Sequence, residues 1–184
     1  MIPIEREVHC ILVTNSHLYH RPMIVRTFEA RDVAPACRLT NHFIEHTAVH
    51  FGFVPHTEAE FAAMWEDGRE KYPWLVAETD GAFAGFAKAG LWRTREAYLP
   101  TAEVTVYVDL EMHRRGVGRA LYTGLLSRLR AGNFHSAIGG ITLPNPGSVS
   151  LHEAMGFKHI GTFRESGRKF DRWHDTGWWQ IMLG

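Results

Sequence analysis

Apolar and polar positions alternate most regularly over residues 103–108, where Val104, Val106 and Val108 interleave with Thr105 and Tyr107. A period of two predicts a strand. The period then changes: Leu121, Leu125 and Leu129, with Leu126 beside them, recur at helical spacing and predict a helix ending near Gly132. Upstream, Val33, Ala36, Leu39 or Thr40, and Phe43 form a helical stripe over 32–46, with Asp32 placed to cap it. Thr57-Glu58-Ala59-Glu60 is a capping box opening a second helix, with Phe61, Met64 and Trp65 as its expected buried face and Pro73 beyond its end. Residues 74–92 read as two strands around Asp80-Gly81, a hairpin signal. The 103–109 run supplies a third antiparallel strand, and 137–143 (AIGGITL) a glycine-containing one. A short helix over 148–155 and closing strands at 157–164 and 177–183 complete the order. With a strand opening at Met23, this is an α+β pattern around a mixed sheet, one domain over 23–184 without repeats or linkers.

Composition narrows the function classes. The chain has 184 residues, 45% of them hydrophobic, which suits one well-buried domain. Lys plus Arg and Asp plus Glu number 20 each, so no global field argues for nucleic acid or a membrane surface. No basic stripe with interleaved aromatics points to a nucleic-acid binder either. Two cysteines, Cys10 and Cys37, make no disulfide framework, and Cys37 falls on an amphipathic helix as a small core residue. Neither a bilayer-length apolar run nor a signal-peptide pattern occurs, so a cytoplasmic location is expected. Residues 1–22 lack sustained periodicity; they form an N-terminal extension that either precedes a start at Met23 or adds a strand through Cys10-Ile11-Leu12-Val13. His42, His46 and His50 are spaced i, i+4, i+8, but the outer pair on a helix would be ~12 Å apart, too far for one metal ion.

The chemistry concentrates where the strand period gives way to the helix period. Gly116 and Gly118 stand among Arg114, Arg115 and Arg119. Strand, basic glycine turn and helix present free backbone N–H groups and a positive dipole end to an anion. A dinucleotide fingerprint fails because Leu121 occupies the third small position, and no Gly-Lys-Ser/Thr follows for a P-loop. HRRGVG at 113–118 resembles instead the pyrophosphate loop of the GNAT acetyltransferase superfamily, Gln/Arg-x-x-Gly-x-Gly/Ala, with His113 departing at its first position. Residues 143–157 resemble the segment after the fifth strand of those enzymes, read here as Asn145, Ser148, Leu151, His152, Gly156 and Phe157. His152 stands where many members carry tyrosine. Together with NHFIEHTAVHF, YPWLVAE, LWRTREAY, EVTVYV, RALYTGLL and WHDTGWWQ in order, the chain from 23 to 183 resembles the phosphinothricin (or methionine sulfone) N-acetyltransferase family.

That resemblance implies a GNAT fold, a mixed and mostly antiparallel central sheet flanked by helices, and transfer of an acetyl group from acetyl-CoA to a primary amine. It also implies a homodimer and no metal. A protonated amine has no lone pair, so a base must take its proton; Glu103 matches the family's acidic residue on the central strand. His152 is expected to relay a proton or protonate the departing thiolate, titrating near neutrality as imidazole does. For CoA, the resemblance points to the backbone of 114–119, with His113, Val117 and the three arginines around it, to Val106 and Val108 pairing with the pantetheine arm, and to Asn145 and Ser148. The N–H of Val106 is expected to polarise the thioester carbonyl.

Arg93, Arg95 and Tyr98 are the acceptor-side candidates, since a guanidinium grips a carboxylate or phosphinate in a forked geometry. Phe51, with Phe53, is expected to wall the pocket, and Glu96 stands near enough in sequence to neutralise one arginine. The acceptor expected is a small amino-acid analogue such as phosphinothricin, methionine sulfone or methionine sulfoximine. A peptide or protein N-terminus, another small amine, or acetyl-CoA sensing without turnover are the alternatives.

Overall fold

The run of alternating valines forms the middle strand of a seven-stranded sheet in a computed structural model that describes residues 23–184. The extension 1–22, with the strand considered through Cys10-Ile11-Leu12-Val13, lies outside the described residues. The strands are β1 Ile24–Thr27, β2 Trp74–Thr79, β3 Ala82–Leu91, β4 Thr101–Val108, β5 Ser136–Leu143, β6 Lys158–Lys169 and β7 Arg172–Met182. The helices are α1 Val33–His46, α2 Glu58–Gly68, α3 Val117–Ala131 and α4 Pro146–Ala154. Spatial order is β1-β2-β3-β4-β5-β7-β6, antiparallel at every step except β4–β5. The fold is thus the mixed, mostly antiparallel sheet with flanking helices that the sequence predicts.

Each sheet face carries its own core. Leu121, Tyr122, Leu125 and Leu129 of α3 pack with Leu75, Ala87, Ala89, Ala102 and Val104. On the opposite face, α1 and α2 cover Trp74, Val76, Phe86 and Tyr107 through Ala36, Leu39, Phe61 and Trp65. Cys37 is buried in this second cluster as a free thiol. The β2–β3 turn falls on Asp80 and Gly81, both at positive φ (56° and 79°), which matches the hairpin turn that the dipeptide favours.

Pairing around β4 matters most for the site. β4 runs antiparallel to β3 from Ala102 to Val108 but pairs with β5 only from Thr101 to Glu103, opposite Ser136–Ile138. Past Glu103 the two strands part. The Asp109 N–H donates to Ala84 O, continuing the ladder, and this sets its alternation: Tyr107, Thr105 and Glu103 direct their backbone polar groups to β3. Val106 and Val108 therefore turn their N–H and C=O groups toward the gap, where no strand receives them.

Four local expectations need correction. Asp32 does not cap α1; its carboxylate accepts from Arg26 (2.6 and 2.7 Å) and from the Glu29 N–H (2.8 Å), closing the short turn before the helix. Arg26 also reaches Glu78, and these charge-assisted bonds outcompete the cap. Met64 is 39% exposed, leaving Phe61 and Trp65 as the buried face of α2. α4 begins at Pro146, with Asn145 as its cap, rather than at Ser148. The closing strands are also longer than predicted, extending to a turn at Phe170 and Asp171, both at positive φ.

The Thr57 capping box forms as its sequence signature predicts: Thr57 Oγ1 accepts from Glu60 N–H (3.2 Å), and the Glu60 carboxylate accepts from Thr57 N–H (2.8 Å). Thr57→Ala is expected to lower unfolding free energy by about 0.5–2 kcal/mol, read as a lower urea midpoint at unchanged slope.

Candidate active site

The glycine loop opens α3 in the way an anion site requires. Gly116 is the N-cap residue at φ 83°, and Arg114 precedes it at φ 61°. A Cβ built on Gly116 would meet nothing within 4 Å, so the glycine answers to backbone conformation rather than to crowding. Gly118 is the reverse case: a Cβ there would stand 2.9 Å from Leu151 Cδ2 and 3.5 Å from Val108 Cγ2. The first intrahelical bond is Ala120 N–H to Gly116 O, which leaves the N–H groups of Val117, Gly118 and Arg119 without helical acceptors.

These groups border a groove of about 660 Å³ that runs from the α3 N-terminus to the parted edge of β4. It brings together Val106, Val108, His113, Arg114, Gly116, Val117, Gly118, Arg119, Asn145 and Ser148, all anticipated from the sequence. Arg115 is exposed and does not line it. Phe43, Val49 and Leu151 line it without having been anticipated; their apolar character reads as core in sequence. One end offers cations and N–H donors, and the other an unpaired strand edge. That combination fits a pyrophosphate followed by an amide-bearing arm, the chemistry of CoA.

Beside the groove lies a chamber of about 120 Å³ lined by Thr105, Val106, Tyr122, Asn145, Ser148 and His152, among others. Asn145 Oδ1 accepts from Ser148 N–H (3.1 Å), using the carbonyl of its side chain as the α4 cap and leaving its NH₂ as a donor. His152 Nδ1 lies 2.8 Å from the Ser148 carbonyl, which can only accept, so Nδ1 carries the proton. Nε2 then accepts from the Tyr122 hydroxyl at 2.8 Å. His152 is 3% exposed, and burial lowers its pKa, opposed by the Ser148 bond. The two bonds hold the ring in one tautomer, and burial favours its neutral form. Gly139 in AIGGITL explains itself here, since a Cβ on it would come within 2.5 Å of His152 Nε2. Tyr122 went unnoticed because its spacing on α3 reads as core.

Glu103 sits where β4 and β5 part. It is half-buried and forms no hydrogen bond or ion pair among the described residues. Burial raises its carboxyl pKa, with a smaller opposing pull from Lys88. Lys88, also missed by sequence reasoning, projects from β3 on the same face, with its Nζ 4.8 Å from the centre of the Trp74 ring.

The remaining acceptor-side candidates divide. Arg93 stacks its guanidinium over Trp92 (5.1 Å) and Tyr98 (5.8 Å) at the surface. Arg95 starts the short turn Glu96–Tyr98 and is exposed. Glu96 forms no ion pair with either arginine. Phe51 packs against the backbone of Gly167 and faces His174 (6.3 Å), and lines neither cavity described above. Phe53 is 72% exposed. His42 and His46 stack at 4.9 Å, whereas His50 turns away and accepts from the Gly52 N–H.

Comparisons with known proteins show the family. The acetyltransferase (GNAT) domain family matches residues 18–178. A phosphinothricin N-acetyltransferase of Streptomyces viridochromogenes is 46% identical over 160 residues, 87% of each chain. An L-methionine sulfoximine/L-methionine sulfone acetyltransferase of Salmonella typhimurium is 31% identical over 163 residues, covering 88% of this chain and 95% of the other. Among solved structures, a GNAT superfamily phosphinothricin acetyltransferase from Sinorhizobium meliloti in complex with acetyl-CoA superposes with TM-score 0.85 at 31% identity, over 88% of this chain and 89% of that one.

Proposed function

The chain belongs to the GNAT acetyltransferase family, among the phosphinothricin and methionine sulfoximine N-acetyltransferases, and from that premise we propose that it acetylates the α-amine of a small amino-acid analogue. The enzyme is an N-acetyltransferase drawing on acetyl-CoA. The observation that carries it is Glu103, a half-buried carboxylate without a partner at the point where β4 frees its edge. A carboxylate with a raised pKa is a stronger base than an exposed one and is suited to take a proton from an ammonium.

In this reading the pyrophosphate rests on the N–H groups at the α3 N-terminus, with Arg114 and Arg119 adding charge. The pantetheine arm continues β4 along Val106 and Val108. The Val106 N–H, turned into the gap, faces the thioester carbonyl as charge develops on its oxygen. Glu103 removes the amine proton, directly or through a water. As the tetrahedral adduct collapses its nitrogen gives up a second proton, and the departing thiolate takes one up beside the chamber, where His152 accepts from the Tyr122 hydroxyl and fixes it. Arg93 and Arg95 receive an anionic or strongly polar distal group of the acceptor, with Tyr98 holding Arg93. A cytoplasmic homodimer belongs to the same proposal. Ile160 and Phe163 on the outermost strand, β6, are 54% and 60% exposed, a surface suited to a second copy.

The test is free-thiol release from acetyl-CoA across a panel of amines. Phosphinothricin, methionine sulfone and methionine sulfoximine are expected to exceed polyamines, aminoglycosides and lysine side chains, because the arginines repel cations and attract anions. Arg93→Ala or Arg95→Ala is expected to remove about 1.5–3 kcal/mol, raising acceptor KM with little change in kcat. A polycation as best substrate would refute the acceptor assignment. Acetyl-CoA binding without turnover of any amine would leave a sensor.

A further inference from the structure

Lys88 interrupts an otherwise apolar stretch of β3 (Phe86, Ala87, Ala89, Gly90), and nothing in the core calls for it. It is half-buried, and no hydrogen-bond acceptor meets its Nζ among the described residues; Trp74 provides only a ring face. A part-buried ammonium without an acceptor is costly and needs a reason.

Its neighbours supply one. In the β3–β4 register Lys88 lies opposite Thr105, and Gly90 lies opposite Glu103. Lys88 and Glu103 are therefore diagonal neighbours on one sheet face, with a Cα separation of roughly 7–8 Å. Their charges feel one another, yet they form no ion pair within 4 Å. The position completing the square is Gly90, where a Cβ would meet nothing within 4 Å. An ammonium, a carboxylate and open space thus share one corner of the sheet. Among the described residues Tyr107, the other diagonal neighbour in this register, has its pKa raised by burial, and His50, across the loop after α1, has its pKa lowered by burial and nearby cations to about 4, so both are neutral at pH 7.

We propose that Lys88 binds the α-carboxylate of the acceptor, so that Lys88 and Glu103 together form a receptor for an α-amino-acid zwitterion. This rests on the functional reading above and deepens it. In an α-amino acid the ammonium and carboxylate hang from one carbon, so their protein partners must themselves be close neighbours. Lys88 meets that condition for Glu103. Arg93 and Arg95, on the exposed loop after β3, are left to the far end of the acceptor. The two fixed charges sum to zero, as do those of the zwitterion. An amine without the carboxylate leaves the ammonium of Lys88 unpaired beside a second cation, which discriminates against it.

The experiment compares one α-amino-acid acceptor, methionine sulfone, with its α-carboxamide, which keeps the amine and removes the charge. Wild type is expected to prefer the acid. Lys88→Met should raise KM for the acid roughly 10- to 100-fold while changing KM for the carboxamide little, which abolishes the preference. Lys88→Arg should recover part of it. Acetyl-CoA affinity by calorimetry and the thermal midpoint report whether the variants remain folded. Equal KM increases for both acceptors would make Lys88 a structural residue and overturn the proposal, as would an unchanged KM for the acid. A wild-type enzyme that turns over polyamines but neither methionine sulfone nor its amide refutes the functional reading itself, and is seen before any variant is made.

Discussion

Glu103→Gln is expected to lower kcat roughly 10²- to 10⁴-fold while acetyl-CoA affinity stays close to wild type. The amide keeps the volume and polarity of the side chain and loses only the ability to take a proton. Glu103 makes no hydrogen bond or ion pair among the described residues, so the substitution breaks none of the fold's contacts. The pH dependence has a definite sign. Burial raises the Glu103 pKa above the ordinary carboxylate range, so the basic form is lost sooner as pH falls, and kcat/KM should decline on the acid side through that raised value. The same shift favours the protonated carboxyl in the fold, so the wild-type group adds stability as pH falls and costs it as pH rises through the folded pKa. Glu103→Gln should remove the part of each profile that this carboxyl sets. In the variant, residual turnover should climb at high pH, where the free amine no longer needs a base. Wild-type turnover by Glu103→Gln at neutral pH would move the base to water or to another group.

Gly118→Val is expected to weaken acetyl-CoA binding by about 1–3 kcal/mol, roughly 5- to 150-fold in Kd, in a protein that still folds. The new side chain would press on Leu151 and Val108, both on the groove wall. Relief displaces either the Leu151 side chain into the groove or the α3 N-terminus away from it, and each shift narrows the groove or carries the exposed N–H groups out of alignment. Binding must reverse that shift, so the strain is felt in affinity. Gly116→Ala provides a contrast, because no atom stands in its way and its difficulty lies in the positive φ alone. Isothermal titration of both variants, with thermal melts alongside, separates a blocked groove from a distorted turn. Unchanged affinity in Gly118→Val would remove the pyrophosphate assignment.

Much of the fold was legible because its signals are local. The Asp80-Gly81 turn, the Thr57 capping box and the change of period around Gly116 and Gly118 each depend on residues a few places apart. The groove residues anticipated from the sequence share that property, lying in two short segments at 106–119 and 145–148, whereas Phe43 and Val49 join the groove from far upstream. What escaped is set by partners distant in sequence. Lys88 reads as an ordinary outward residue of a strand until the β3–β4 register sets it diagonal to Glu103. Tyr122 reads as core, which it is, until His152 arrives thirty positions later to accept its proton. Asp32 was misjudged because Arg26, six positions earlier on β1 and held in place by the distant Glu78 on β2, takes its carboxylate. The β6–β7 hairpin was shortened because its tip, Arg164 to Arg172, carries too few apolar residues to show a period of two.

That hairpin tip also bears on the order in which the molecule can assemble. Lys169, 3% exposed, donates from Nζ to the carbonyls of Ile44 and His50 (2.6 Å to the latter), and Gly167 gives Phe51 a flat backbone to rest on. The segment carrying Val49, which lines the cofactor groove, is therefore secured by residues more than a hundred positions further along the chain. During synthesis the N-terminal two-thirds can form the β2–β3 hairpin and dock α1 and α2 on it, since every one of those partners has by then emerged. The groove's Val49 wall has to wait until the last strands emerge. A nascent chain halted before residue 167 should thus hold a partly built sheet without a finished cofactor site, and the enzyme becomes competent to bind acetyl-CoA only near the end of translation.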